Sequence, residues 1–275
     1  MESIKGQTRA PIGFERFVAI GDSQTEGLHD YYDDQDEGSL RGWADRFAEQ
    51  LAERSPGLLY ANLAVRGKRT REIFETQVEP ALALDPDLVS IMSGVNDMVR
   101  PSADPAAVAM DIERMYAALA KPGRTLLGCT FPLPRVGLTK RVAPRLRLLN
   151  AEIRRAAARH GVQLVDLEGE SMASDLRLWS HDRIHLNGDG HARLAQAFVA
   201  LVSPGGSEDW KIPLPPEPDS SRILSAASEA AWLGRYLLPK IVRLAQGRSS
   251  GDGRVAKRPK LLRVKESGSE LSQPR

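Results

Sequence analysis

The sequence predicts an α/β protein: a three-layer α/β/α sandwich around a five-stranded parallel sheet in flavodoxin-like order. Over the first 202 residues, short apolar runs rich in strand-forming side chains alternate with stretches of helical periodicity. Each helical stretch is long enough to return the chain across the sheet, as a crossover between parallel strands requires. The composition agrees with a globular fold, with 41% hydrophobic and 27% charged residues.

The predicted strands and helices follow one another along the chain. The strands are Phe17–Ile20, Leu58–Val65, Leu88–Met92, Thr125–Thr130 and Gln163–Leu167. The helices are Leu40–Arg54, Thr70–Leu84, Pro105–Ala120, Pro144–His160 and Gly190–Val202. Two helices carry end signals, because Asp104 precedes a proline at the first helical position and Gly161 follows the last turn of its helix.

The composition changes after residue 202, which divides the chain into four parts. Residues 14–202 form the predicted domain, and residues 203–221, with five prolines, form an extended linker. Residues 222–246 regain the spacing of an amphipathic helix, and residues 247–275 form a basic tail that we expect to be disordered. The helix is suited to an anionic membrane surface, to a protein partner or to packing on the body, and the sequence leaves these alternatives open.

The net charge of +2 is unevenly distributed. Ten Lys and Arg residues and one acidic residue lie between Arg235 and Lys265, so the rest of the chain is net negative. A basic run attracts any polyanion without specificity. We therefore expect no specific nucleic-acid binding, and peripheral membrane or protein contacts only through the C-terminal helix and tail.

The single cysteine and the polar N-terminus predict a cytoplasmic protein. Cys129 excludes an intramolecular disulfide and lies in an apolar strand, which is typical of a buried core thiol. Residues 1–15 lack the apolar core of a signal peptide. No apolar run approaches the roughly 20 residues of a membrane-spanning helix.

Four polar segments lie where predicted strands end, at the sheet edge where open α/β sheets bind ligands. They are Gly21-Asp22-Ser23, Asn62 to Gly67, Gly94-Val95-Asn96-Asp97 and Asp182-Arg183-Ile184-His185. A serine hydroxyl needs a base to act as a nucleophile, and His185 is suited to that role with Asp182 to orient it. An oxyanion needs fixed donors, for which the N–H groups of Ser23 and Gly67 and the amide of Asn96 are candidates.

The residue types, their order and their spacing resemble the SGNH hydrolases, also called the GDSL esterase/lipase superfamily. The resemblance covers about residues 14–202 and rests on Gly-Asp-Ser-x-Thr-x-Gly at 21–27, Gly-x-Asn-Asp at 94–97 and Asp-x-x-His at 182–185. Gln24 stands where the family name has Leu, and the segment ending at Gly67 is the shortest match. No predicted strand leads into a Gly-x-Ser-x-Gly elbow of the α/β-hydrolase type.

The resemblance implies a role for each of these residues. Ser23 would be the nucleophile, His185 the base and Asp182 its orienter, with Ser23, Gly67 and Asn96 forming the oxyanion hole. It implies a serine esterase that acts on a small-molecule ester and requires no metal or organic cofactor. The alternatives are an acyltransferase that uses the same acyl-enzyme and a binding module without turnover.

Other polar and aromatic residues invite competing interpretations. A metal cluster is one alternative, with His181, Asp182, His185 and His191 as its ligands. An acyl pocket is another, for which the candidate lining residues are Trp43, Met98, Phe131 and Trp179. The acidic loop from His29 to Glu37 is expected to be a solvated connector, and Asp22 and Asp97 are expected to bond turn N–H groups.

Overall fold

A computed structural model describes most of the chain. The described residues are 13–33, 36, 38–133, 138–216, 231, 233–237 and 249–264. In this part of the chain, helices cover both faces of one mostly parallel sheet, which confirms the predicted α/β class.

The central sheet has six strands in the part of the chain that the structure describes. They are β1 (Arg16–Gly21), β2 (Leu59–Asn62), β3 (Leu88–Met92), β4 (Thr125–Cys129), β5 (Gln163–Val165) and β6 (Arg258–Arg263). Their order is β5-β4-β3-β1-β2-β6, and the first five strands pair in parallel. The flavodoxin-like order is therefore confirmed, whereas the predicted number of five strands is wrong.

The sixth strand comes from the tail. Strand β6 pairs antiparallel with β2, with Arg263 opposite Leu59 and Leu262 opposite Tyr60. The expectation of disorder is thus wrong for residues 249–264. The basic composition was misleading, because a strand at a sheet edge keeps its charged side chains in solvent. The aromatic ring of Tyr60 also holds the Arg258 guanidinium 5.2 Å from its centroid.

Seven helices surround the sheet in the described residues. They are α1 (Ser23–Glu26), α2 (Gly42–Ala52), α3 (Thr70–Ala83), α4 (Val95–Met98), α5 (Pro105–Leu119), α6 (Ala143–His160) and α7 (Gly188–Val202). Helix α2 packs against α7, while α5 packs against both α3 and α6. The two end signals are confirmed, because the Asp104 carboxylate accepts a hydrogen bond from Ala106 N and Gly161 ends α6 in the left-handed conformation.

Strand β2 ends at Asn62, earlier than the predicted end at Val65. The Asn62 side chain is buried, where it accepts a hydrogen bond from Ala64 N at 3.0 Å and donates one to Thr25 O at 2.8 Å. These bonds turn the chain out of the sheet toward the residues that follow β1.

The segment after α7 lies partly on the body. Trp210 is buried, and the Arg193 guanidinium donates to the carbonyl oxygens of Trp210 and Ile212. Of the predicted helix 222–246, the structure describes only residues 231 and 233–237, with a π-helical turn at Leu233–Leu237, and the remainder lies outside the described residues. The domain boundaries stay predictions. No helix in the described ranges has the length and apolar character needed to cross a membrane.

Candidate active site

Three of the predicted site residues form one hydrogen-bonded chain of side chains. His185 Nε2 lies 2.8 Å from Ser23 Oγ, and His185 Nδ1 lies 2.6 Å from Asp182 Oδ2. Ser23 opens α1 immediately after β1, while Asp182 and His185 lie in the loop before α7. This is the geometry of a nucleophile, a base and an orienting carboxylate.

The Asp182 carboxylate is held by its own loop. Its Oδ1 atom accepts hydrogen bonds from Ser180 Oγ at 2.6 Å, Ile184 N at 2.9 Å and His185 N at 3.0 Å. Burial alone would raise the pKa of Asp182, but hydrogen bonds from His185, His29 and Ser180 outweigh it and hold that pKa well below its usual range. The carboxylate is therefore charged at neutral pH and can stabilise an imidazolium on His185.

The turn before Ser23 depends on a glycine. A Cβ atom at Gly21 would lie 2.6 Å from Thr25 Oγ1 and 2.7 Å from Met92 O, so no larger residue fits between α1 and β3. The Gln77 side chain accepts from Gly21 N at 2.8 Å and donates to Gly21 O at 2.9 Å. This clamp fixes the end of β1 and with it the position of Ser23.

Gln24, the residue that departs from the family name, joins α1 to the loop that carries Asp182 and His185. Its Nε2 atom donates to Ile184 O at 2.9 Å, and its Oε1 atom accepts from Leu186 N at 3.3 Å. These two residues flank His185. Gln24 therefore links the backbone on both sides of the base to the helix that carries Ser23.

Two backbone N–H groups at the site have no acceptor among the described residues. No described residue accepts a hydrogen bond from the N–H of Ser23 or of Gly67. Gly67 has φ +76°, a conformation that glycine adopts without strain. Its neighbour Arg66 donates to the buried Glu26 carboxylate from its backbone N at 2.6 Å and from its guanidinium, which holds this loop against α1.

Asn96 lies between the serine turn and the Gly67 loop. Its Nδ2 atom donates to Asp22 Oδ2 and to Lys68 O, both at 3.1 Å, so both amide hydrogens have acceptors. Asp22 also accepts from Gln24 N at 3.3 Å, in the N-cap role expected of it. For Asn96 to donate to an oxyanion, one of its two bonds must be shared or released.

Asp97 has the structural role expected from the sequence. It accepts hydrogen bonds from Thr70 N at 3.0 Å and from Thr70 Oγ1 at 2.8 Å, and the same hydroxyl lies 2.8 Å from Ser93 Oγ. Burial raises the pKa of the Asp97 carboxyl. These contacts connect the start of α3 with the loop that follows β3.

A second histidine contacts the Asp182 carboxylate. His29 Nε2 lies 3.3 Å from Asp182 Oδ2, and the His29 ring centroid lies 5.5 Å from that of His185. His29 has φ +66°, which is uncommon for a residue other than glycine. The loop expected to be a solvated connector therefore begins with a residue of the site.

The histidines do not form the metal cluster considered from the sequence. His191 is fully buried; its Nδ1 atom accepts from Trp43 N at 3.1 Å and its Nε2 atom donates to Leu28 O at 3.0 Å, so neither nitrogen is available as a ligand. Ligand atoms of His29, Asp182 and His185 lie within 4.8 Å of one another. A metal bound by these three residues would engage His185 and Asp182, the same side chains that form the hydrogen-bonded chain with Ser23.

An apolar cavity of about 150 Å³ adjoins these residues. Its wall includes Phe131, Leu146, Leu167, Met172, Trp179 and Leu194. Gln24, Ile184 and Leu186, the chain neighbours of Ser23 and His185, also line it. Of the aromatic and methionine residues considered for an acyl pocket, Phe131 and Trp179 line the cavity, whereas Trp43 and Met98 are fully buried core residues.

The sequence did not indicate several residues that position the site. In the sequence, Gln24 stood out only because it departs from the family name. Glu26 and Arg66 lie within the matched segments, and their opposite charges were the only sign that they form an ion pair. His29 gave no signal, because a positive φ at a non-glycine residue leaves no trace in a single sequence. Cys129 was interpreted correctly, since it is buried and burial raises the pKa of its thiol.

Residues 19–193 match the model of the GDSL-like Lipase/Acylhydrolase family, and this match covers more than half of the chain. This match contains all four motif segments and confirms the resemblance inferred from them. No curated protein matches the sequence.

Solved structures share the fold. LAE5, an alpha/beta hydrolase enzyme from the metagenome of Lake Arreo in Spain, is 25% identical with a TM-score of 0.58, and the match covers 72% of this chain and 98% of that one. Axe2, an acetylxylan esterase from Geobacillus stearothermophilus, is 18% identical with a TM-score of 0.57, covering 74% and 98%. TesA is 21% identical with a TM-score of 0.54, covering 66% and 95%.

Proposed function

The chain belongs to the GDSL-like lipase/acylhydrolase family and is a carboxylic ester hydrolase, and we propose that it acts through an acyl-enzyme formed on Ser23. The observation that carries the proposal is the continuous hydrogen-bonded chain from Ser23 Oγ through His185 to Asp182. A serine hydroxyl is a weak nucleophile, and this arrangement supplies the base that activates it.

In the proposed reaction, Ser23 Oγ attacks the ester carbonyl while His185 Nε2 takes the hydroxyl proton. Asp182 remains ionised and stabilises the imidazolium through Nδ1. The tetrahedral intermediate collapses as His185 returns the proton to the leaving alcohol. Water then attacks the acyl-enzyme with His185 again as base, and His185 returns the proton to Ser23 Oγ as the acid leaves.

The oxyanion needs donors that are fixed before the reaction. The open N–H groups of Ser23 and Gly67 are suited to this role, since no described residue accepts from them. Asn96 would supply a third donor by sharing a hydrogen that now points to Asp22 or to Lys68.

The apolar cavity favours a substrate with a hydrocarbon group larger than acetyl. A cavity of about 150 Å³ with an apolar wall is of the size that holds a ring such as benzene. Axe2 is named as an acetylxylan esterase; for this chain we propose an apolar acyl group of medium length in a small-molecule ester.

Substitution of Ser23 tests the mechanism. We expect Ser23→Ala to abolish hydrolysis of p-nitrophenyl esters and labelling by a fluorophosphonate probe. The exposed Ser102 provides a matched control, and Ser102→Ala should retain both. If Ser23→Ala hydrolysed these esters at the rate of the wild type, an acyl-enzyme on Ser23 would be refuted.

A series of p-nitrophenyl esters from acetate to decanoate tests the acyl group. We expect kcat/KM to rise by up to about fourfold per methylene until the cavity is full, because burial of a methylene contributes about 0.8 kcal/mol. Ala173 lines the cavity, and Ala173→Leu should shorten the preferred chain. A preference for acetate in both proteins would contradict this substrate class.

The acyltransferase alternative uses the same acyl-enzyme and differs only in the acceptor. Supplying alcohols and sugars together with the preferred ester separates the two reactions. Hydrolysis should exceed transfer at every acceptor concentration, and more product ester than acid would establish the transferase instead.

A further inference from the structure

A turn from the C-terminal segment lies directly on the loop that carries Gly67. This tail turn, residues 249–254, precedes β6 and lies outside the residues matched to the family. Ser249 Oγ donates a hydrogen bond to Gly67 O at 3.1 Å. A Cβ atom at Gly67 would lie 2.4 Å from Ser249 Oγ and 2.5 Å from Ser250 Oγ, so a larger residue would displace both hydroxyls of the tail turn.

Gly251 packs against the peptide group that provides the Gly67 N–H. A Cβ atom at Gly251 would lie 2.1 Å from the carbonyl oxygen of Arg66, and that carbonyl belongs to the same peptide as Gly67 N. A trans peptide directs its C=O and its N–H to opposite sides. Because the carbonyl faces the tail turn, the N–H of Gly67 faces away from it.

Hydrogen bonds connect the residues of the tail turn to one another. Ser249 N donates to Asp252 Oδ2 at 2.8 Å, and Arg254 N donates to Gly251 O at 3.1 Å. Gly251 N donates to Ser249 Oγ at 3.1 Å. The Ser249 hydroxyl therefore accepts within the tail turn and donates to Gly67, so one atom couples the two loops.

Contacts beyond the tail turn fix it to the body. Lys257 Nζ donates to Asp45 Oδ2 at 3.0 Å and to Arg41 O at 2.6 Å, and both charged side chains are largely buried. Strand β6 then pairs with β2, the strand that leads into the Gly67 loop. The tail turn and the loop are thus held by the same edge of the sheet.

We propose that the tail turn is a positioning element of the ester-hydrolysing site, in which Ser249 and Gly251 hold the Gly67 N–H toward the oxyanion. The proposal rests on the proposed function, since an oxyanion forms only when Ser23 attacks an acyl carbonyl. Ser249 and Gly251 act through Gly67 rather than on the substrate. The expected signature is a lower kcat with an unchanged KM, because the donor acts in the transition state.

Substitutions in the full chain test the tail turn. We expect Gly251→Ala to lower kcat about a hundredfold, because its Cβ displaces the Arg66 carbonyl and a displacement of about 1 Å has an effect of that order. Ser249→Ala removes one hydrogen bond without a clash and should lower kcat about tenfold. Ser249→Thr retains a hydroxyl and should restore the wild-type kcat. Gly57→Ala is the matched glycine control, since a Cβ there meets nothing within 4 Å.

Three results would overturn the proposal: a wild-type kcat in Ser249→Ala or Gly251→Ala, a loss that Ser249→Thr does not restore, or a rise in KM alone. Thermal midpoints identify variants that simply unfold. Ser23→Ala is measured alongside, and full activity in that variant would refute the proposed function separately. The NMR resonance of the Gly67 amide provides a test that does not depend on catalysis. We expect this resonance to shift in Ser249→Ala, and an unchanged resonance would also overturn the proposal.

Discussion

The two halves of the candidate site are built differently. In the triad half, the side chains of Ser23, His185 and Asp182 bond one another directly. In the oxyanion half, the Gly67 loop is held by Glu26 on one side and by the tail turn on the other. The triad half is therefore complete within the matched family segments, whereas the oxyanion half depends on residues elsewhere in the chain.

This difference separates chemistry from positioning. In the proposed mechanism, a substitution in the triad half removes a reacting group, so we expect its effect on kcat to be large. A substitution in the oxyanion half removes or displaces one donor among several, so its effect is smaller and depends on what supports that donor. The following predictions test this distinction, beginning with the largest effect.

Loss of the base should produce the largest effect. We expect His185→Ala to lower kcat by on the order of 10⁴-fold or more, because proton transfer from Ser23 loses its acceptor. Steady-state kinetics on the preferred p-nitrophenyl ester provide the measurement. His181 is exposed in the same loop, and His181→Ala should leave kcat unchanged. Equal kcat values in His185→Ala and His181→Ala would show that His185 is not the base of the reaction.

In the oxyanion half, Asn96→Ala should lower kcat by about 10²–10³-fold, as loss of one oxyanion donor does in other hydrolases. The same substitution removes the bonds to Asp22 and Lys68, so thermal midpoints must accompany the kinetics. A fall in kcat with an unchanged KM indicates a donor to the transition state. If kcat falls only when the thermal midpoint also falls, the role of Asn96 is structural, through its bonds to Asp22 and Lys68.

The same distinction explains what the sequence predicted. Ser23, Asp182 and His185 were indicated because their residue types have chemical meaning and because parallel strands bring their ends to one edge. The parallel sheet was indicated by the alternation of apolar runs and helices. Both inferences rest on local patterns combined with one topological rule.

The support of the oxyanion half could not be predicted in this way. Residues 249–264 are rich in Gly, Ser, Lys and Arg. This composition occurs both in disordered tails and in edge strands with a tight turn, so it does not distinguish between them. Their order depends on long-range contacts such as Lys257 with Asp45, which no local pattern encodes. Gln24 was similarly missed because its partners, Ile184 O and Leu186 N, are backbone groups.

The buried His191 predicts a pH dependence of stability near the triad half. Burial lowers its pKa to about 4. An unfolded histidine binds its proton near pH 6.5, so between these values the unfolded state binds more protons and stability falls as the pH falls. The wild type should lose up to about 3 kcal/mol across this interval from this group alone.

Chemical denaturation at several pH values measures this loss. His191→Gln can still accept from Trp43 N and donate to Leu28 O but cannot be protonated, so its free energy of unfolding should depend less on pH between 6.5 and 4. The difference between the two curves isolates His191 from other titrating groups. Parallel curves would show that its protonation is not linked to folding.

The smallest effect is expected at Gln24, which connects the triad half to its own loop. Gln24→Leu introduces the residue of the family name and removes the bonds to Ile184 O and Leu186 N, which should lower the free energy of unfolding by about 1–2 kcal/mol. We expect kcat to fall by less than tenfold, because His185 remains bonded to Asp182. Among the described residues, the Gln50 side chain donates to Arg46 O within α2, so Gln50→Leu controls for the change in side chain. A loss of kcat as large as that in His185→Ala would mean that the triad half, like the oxyanion half, depends on its positioning contacts, and the contrast between them would then fail.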